Sequence, residues 1–228
     1  MSLEQARLLV DERPALHRSM DGRPQIGGLN RLMAEQFIDA IGPLERPTIV
    51  ESGSGLSTLL FCCLDPAEVI SVSPAPELHE RIREEAASRG IDTDSLRLVD
   101  DHSERALPLL ALVEDKRIDV GFIDGSHGWP AVFTDFCYLG KMLRPDGLLF
   151  IDDVQTYPVA ELVNLLKQQA PHYEVVTLGR KMATFRKGPD IDWLPDWTME
   201  PYLTMNTPTH SGENPIHRWF EVHGDAEG

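Results

Sequence analysis

A chain of 228 residues has the length of one large domain or two small ones. Its 42% hydrophobic and 25% charged residues are the proportions of an ordinary globular protein, which excludes wholesale disorder. Acidic residues outnumber basic ones 37 to 21, a formal net charge of -16 with His neutral. Such a field repels polyphosphates and argues against a dedicated binder of nucleic acid or anionic membrane, so a small molecule is the expected partner.

The N-terminal stretch MSLEQARLLVDERP is charged within four residues and has no long apolar run, so no signal peptide is visible. Nowhere does the chain approach the roughly 20 apolar residues of a membrane helix. Cys62, Cys63 and Cys137 make neither a disulfide framework nor a CxxC metal pair; they suit a reducing cytoplasm, the expected location, as small core hydrophobes.

Three regions are expected: an N-terminal helical segment (1–47), a core (48–187) and a C-terminal arm (188–228). The first contains two helical patterns, SLEQARLLVDER and LNRLMAEQFIDAI, around the turn-rich SMDGRPQIGG. From residue 48 short apolar runs alternate with helical periods. TIVES (48–52), EVISVS (68–73), SLRLVD (95–100), IDVGFID (118–124) and GLLFIDD (147–153) have the look of strands buried on both faces of a parallel sheet. Between them, residues 56–64, 76–90, 103–114 and 129–143 have helical spacing, with Pro76 and Pro130 placed where a first turn tolerates proline. The alternation predicts right-handed βαβ crossovers and a doubly wound sheet. After a further helix (159–170), the runs YEVVTLG (173–179) and KMATFRK (181–187) are so closely joined that they must pair as an antiparallel hairpin. The expected fold is α/β: a Rossmann-like seven-stranded sheet with five parallel strands and an antiparallel C-terminal hairpin. The arm carries five prolines and Trp193, Trp197 and Trp219. It is expected to pack on the core or on a second copy in a homodimer, or to cover a substrate pocket.

The segment Thr48-Ile49-Val50-Glu51-Ser52-Gly53-Ser54-Gly55-Leu56-Ser57-Thr58 joins the first core strand to a helix. Gly53 and Gly55 permit a sharp turn and close approach of a ligand to the main chain, and the helix start offers unpaired N–H groups. The third glycine of a dinucleotide fingerprint is replaced by Thr58, and the Gly-Lys-Ser/Thr of a phosphate loop is absent. At the far edge, Asp124 ends the fourth core strand and Asp152 and Asp153 end the fifth, its expected neighbour. Adjacent strands are about 4.8 Å apart, so the three carboxylates converge and call for a hard cation such as Mg²⁺ or Mn²⁺ between them. The alternative is that Asp152 and Asp153 cap the following turn.

IVESGSGLSTLLF resembles the E-x-G-x-G first motif of class I S-adenosylmethionine-dependent methyltransferases. With FIDGSHGWPAVFTDFCYLGKMLRPDGLLFIDDV downstream, residues 48–187 are most similar to the D-G-x-H group, and also to metal-dependent sugar and catechol-type O-methyltransferases. The resemblance implies that Gly53, Ser54 and Gly55 line the methionine moiety of the cofactor, and that Glu51 anchors its amino end or orders the loop. Asp101 would accept from the adenine amino group, or else cap a helix, and His102 would flank the ring. Ser73 stands where the family usually has an acid gripping the ribose hydroxyls; a lone hydroxyl accepts more weakly, with Glu77 one turn away as a conjectured substitute. Asp124, Asp152 and Asp153 match the family's metal-ligand positions, and His127 stands where catechol-type members have a lysine base. The implied activity is metal-assisted O-methylation of a hydroxylated small molecule. A methyltransferase-fold binding module that has lost cofactor affinity, and a metal-independent N- or C-methyltransferase, are the competing readings. Asp135, on the following helix, reads as a solvated face.

Overall fold

A computed structural model describes residues 3–169 and 172–189 of the chain. The chain divides between residues 193 and 194, and everything described belongs to the first part. The arm beyond Pro189, with the packing expected of it, lies outside the described residues.

Two short helices open the chain, α1 (Leu3–Glu12) and α2 (Arg31–Ile41). Between them runs a ribbon of two-residue strands, β1 (His17–Arg18) and β2 (Pro24–Gln25), too short to leave a periodic signal in the sequence. Asn30 caps α2 by accepting the Met33 amide at 3.0 Å. Asn30→Ala is expected to cost about 1 kcal/mol, read as a lower urea midpoint with unchanged slope.

The core sheet follows the sequence pattern. Strands β3 (Thr48–Ser52), β4 (Glu68–Val72), β5 (Leu96–Val99), β6 (Ile118–Ile123) and β7 (Leu143–Ile151) are parallel, and β8 (Tyr173–Leu178) and β9 (Ala183–Lys187) form the antiparallel pair. Their spatial order is β5-β4-β3-β6-β7-β9-β8. Strand β7 starts four residues before the apolar run GLLFIDD, because Leu143 already pairs with Ile118 ahead of an irregularity in which Asp146 has a φ of +64°. Helices α3 (Leu56–Cys62), α4 (Pro76–Arg89), α5 (Ser103–Leu112), α6 (Ala131–Met142) and α7 (Tyr157–Lys167) cover both faces. The two faces make separate cores. On one, Phe37 of α2 meets Phe61, Phe122 and Phe150 with ring centroids 4.7–5.1 Å apart, anchoring the N-terminal helices to the sheet. The other buries the apolar sides of α5, α6 and α7.

Asp135 corrects its expectation. It is fully buried on α6, in a stripe with Val132, Leu139 and Met142 whose spacing of three and four is that of an inward face. Among the described residues no helix is long and apolar enough to cross a membrane.

Candidate active site

The chain runs β3, β4, β5 outward on one side, then returns to place β6 on the other side of β3. A ligand crevice opens at such a reversal, beyond the carboxyl ends of the strands. A cavity of about 750 Å³ lies there. Gly53, Ser54, Ser73, His102 and Asp124 form part of its wall, with Asp152, Asp153 and Lys181 at one end. Residues of the β1–β2 ribbon and the glycines after it, from His17 to Gly28, close another side.

The bend after β3 is held from below. Glu51 is wholly buried and accepts the Ser57 hydroxyl at 2.7 Å and the Thr58 hydroxyl at 2.5 Å, while Thr58 accepts the Gly55 amide at 3.0 Å. The Glu51 carboxylate therefore ties β3 to the first turn of α3 beneath the loop, and is not in the cavity wall. Burial pushes its pKa up to about 7, against the hydroxyls of Thr58, Ser57 and Ser71, which favour the charged form. Ser54 is fixed laterally: its hydroxyl lies 2.7 Å from that of Ser71 and 3.0 Å from Nε2 of buried His79, whose Nδ1 bonds Asp100 at the end of β5. Gly53 has a φ of +90°, and a β-carbon there would stand 2.4 Å from the Asp124 carbonyl oxygen. Only glycine permits that approach of β3 to β6.

Of the residues expected to hold the cofactor, Gly53, Ser54, Ser73, His102 and Asp124 line the cavity. Gly55 packs instead against His17, whose Nε2 would be 2.9 Å from an added β-carbon. Asp101 accepts the His102 amide at 2.8 Å and pairs with Arg105 at 3.4 Å, outside the wall. The residue flanking the start of α5 is His102, and no side-chain cap bond is made there. Glu77 is exposed and is not in the cavity wall, where Ser73 shares the lining with Glu104 and Asp124.

The acids converge as their strands predict. The Asp124 amide donates to the Ser52 carbonyl at 2.9 Å and the Asp152 amide to the Ile123 carbonyl at 2.9 Å, which brings Gly53, Asp124 and Asp152 side by side. Asp124 is walled in by protein yet keeps 34% of its side-chain surface open to the cavity. Burial first, then the neighbouring Asp152 carboxylate, hold its carboxyl well above the usual range, Glu51 adds to this, and Lys181 opposes it. His127 stands behind: Nε2 is 3.8 Å from Asp124 and Nδ1 is 3.6 Å from Asp153, and Nε2 is buried with no hydrogen-bond partner among the described residues. His127 is thus beside Asp124, not on the wall itself.

The expected cation site is corrected by Lys181. Its Nζ lies 2.8 Å from Asp152 Oδ2 and 2.8 Å from Asp153 Oδ1, so an ammonium already fills the place between the carboxylates. Among the described residues no group of three or more His, Cys, Asp or Glu side chains is arranged to hold a metal ion. The donor set does not fit Mg²⁺ or Mn²⁺, because two of its three acids are committed to a positive charge of the chain's own. The ammonium holds the Asp153 carboxyl below its ordinary pKa, although partial burial pulls the other way.

Local pattern places neither His17, Arg18 nor Lys181 at the site, and it reads Asp135 as solvated. For Asp135 the signal was present, since its spacing from Val132 and Leu139 is that of a buried stripe. Neither oxygen of its carboxylate completes a hydrogen bond among the described residues, and burial raises its pKa, with Ser103 and Ser52 acting against. For His17 and Lys181 no local signal exists.

Residues 50–154 match a family described as a methyltransferase domain. No curated protein sequence matches the chain. Among solved structures, the O-methyltransferase TomG of Streptomyces achromogenes, in complex with S-adenosylmethionine, is 16% identical, with a TM-score of 0.61 over 80% of this chain and 90% of that one. An rRNA methylase of Streptococcus thermophilus is 15% identical, with a TM-score of 0.54 over 71% and 99%. The S-adenosylhomocysteine-bound methyltransferase PaMTH1 of Podospora anserina is 18% identical, with a TM-score of 0.51 over 68% and 76%. At such identities these likenesses establish the fold, a Rossmann-like methyltransferase sheet. Together with the methyltransferase domain matched over residues 50–154, they support an S-adenosylmethionine-dependent methyltransferase.

Proposed function

We propose that the protein methylates a hydroxyl oxygen of a small molecule, without a metal ion. One observation carries the reading: a single cavity of about 750 Å³ runs from the Gly53–Ser54 bend to the acids ending β6 and β7. It has the volume for a cofactor and a small acceptor side by side. The bend, Ser73 and His102 are the wall against which the cofactor lies, and Asp124 is the acid placed to receive the acceptor's proton as its oxygen attacks the sulfonium methyl. His127 stands behind Asp124, with Nε2 3.8 Å from its carboxylate, and packs against it. The donor is already activated, so the protein's part is positioning and proton removal. The likeness to TomG favours oxygen as acceptor atom, and the charge of -16 disfavours an RNA substrate despite the likeness to an rRNA methylase.

The test is transfer of a labelled methyl group from S-adenosylmethionine to a panel of phenols and other small hydroxylated compounds, in excess chelator. Asp124→Asn is expected to slow transfer on the order of 100-fold. His127→Asn is expected to slow it on the order of tenfold and to shift the pH profile, as befits a positioning residue. A serine, Ser73, where an acid would grip the ribose favours a second reading, a binding module that has lost the cofactor. Calorimetry decides between them: heat on titrating S-adenosylhomocysteine supports the enzyme, and none up to millimolar concentration supports the module.

A further inference from the structure

Asp124, Asp152 and Asp153 reach the cavity from the ends of two adjacent strands, and three carboxylates so placed need a positive charge among them. The chain provides it from a third strand's turn, and three observations make Lys181 a built part of the site. Its acceptor Asp152 is only 3% exposed, so that carboxylate has almost no water to turn to if the ammonium leaves. Its backbone is pinned, the carbonyl accepting the Val154 amide at 3.0 Å. Its head is roofed by Gly28, where a β-carbon would stand 3.1 Å from Nζ, so the N-terminal segment is shaped to the ammonium. An ammonium has three N–H donors. Two are taken by Asp152 and Asp153, and Lys181 lines the cavity with 30% of its side chain exposed, leaving the third for a ligand oxygen.

We infer that Lys181 is a resident cation that occupies the place of a divalent ion, keeps such ions out, and presents an N–H to the acceptor oxygen. The exclusion of ions stands on the ion pairs alone; the role of the third N–H rests on the O-methylation reading. The substrate class narrows accordingly. An ammonium is not a Lewis acid, so it stabilises an oxyanion without acidifying an aliphatic alcohol as a metal does. With a carboxylate as base, the acceptor is an acidic hydroxyl of the phenol or enol kind, whose pKa of about 10 lies nearer the base than an alcohol's.

Mn²⁺ is the probe, followed by electron paramagnetic resonance of the free ion, with the unaltered protein, Lys181→Ala and Lys181→Arg. The unaltered protein and Lys181→Arg, which keeps the charge, are expected to leave millimolar Mn²⁺ free. Lys181→Ala uncovers Asp152 and Asp153 beside Asp124 and is expected to bind Mn²⁺ at least tenfold more tightly. Lys181→Gln repeats the measurement if the alanine variant does not fold. Mn²⁺ bound by the unaltered protein as tightly as by the variants overturns the inference, as does an ion bound by none of them. S-adenosylhomocysteine is titrated calorimetrically into the same samples. Failure of the unaltered protein to bind it sinks the methyltransferase reading and leaves the ion result standing. Cofactor bound together with Mn²⁺ in that protein sinks the inference alone.

Discussion

Gly53→Val is expected to abolish cofactor binding and to lower stability by roughly 3–5 kcal/mol. Two penalties combine. The residue has a φ of +90°, a region that β-branched side chains avoid. A β-carbon would also stand 2.4 Å from the Asp124 carbonyl oxygen and 2.7 Å from its carbon, both backbone atoms in the neighbouring strand. No side chain can rotate away to relieve that contact, so β3 and β6 must separate at their carboxyl ends. Separation would break the 2.9 Å bond from the Asp124 amide to the Ser52 carbonyl and withdraw Asp124 from the cavity. Urea denaturation reads the stability loss and calorimetry with S-adenosylhomocysteine reads the site. A variant that keeps unaltered affinity would show that the bend is not where the cofactor lies.

Glu51 is expected to make stability fall as pH rises, by about 3 kcal/mol over its titration. Its carboxyl moves from an ordinary 4.5 to about 7 on folding, burial being the largest cause. Below about 4.5 it is protonated in folded and unfolded chains alike. Between 4.5 and 7 the folded protein retains a proton that the unfolded chain has released, so each step upward in pH favours unfolding. Above 7 the penalty is complete and no longer grows. Glu51→Gln removes the titration while leaving a polar group for Ser57 and Thr58. Asp124 and Asp135 are also raised and act in the same direction, so the quantity to measure is the difference between the two proteins' stability profiles. That difference is expected to move in favour of Glu51→Gln by about 3 kcal/mol from pH 4.5 to 7, and parallel profiles would refute it.

Both effects arise where the chain departs from simple patterning. Glu51 is a charged residue at the end of an apolar strand, legible as unusual in TIVES, and the hydroxyls at positions 57 and 58 that receive it are legible too. That it lies beneath the loop instead of in the cavity depends on the face of β3 to which its side chain is directed, and periodicity in a strand buried on both sides does not distinguish the faces. The convergence of Asp124 and Asp152 was legible for a firmer reason: both end parallel strands with α-helical crossovers, and strands so connected carry their ends to one edge.

The amino-acid sequence by itself determined the layered α/β sheet, the antiparallel ending, the glycine bend and the acid-lined edge. Each is written in local features, namely period, turn residues and strand-terminal acids, which short-range physics reads directly. Only the tertiary structure decided what neutralises the acids and what closes the cavity. Lys181 belongs to a hairpin turn, where a charged residue reads as solvated, and it meets Asp152 only because β9 pairs with β7. His17 sits in a ribbon of two-residue strands, far in sequence from the bend it packs against. Such pairings are made by strand order and loop placement over long separations, and an ammonium's partner is set by Coulomb attraction across space, which leaves no periodic trace along the chain.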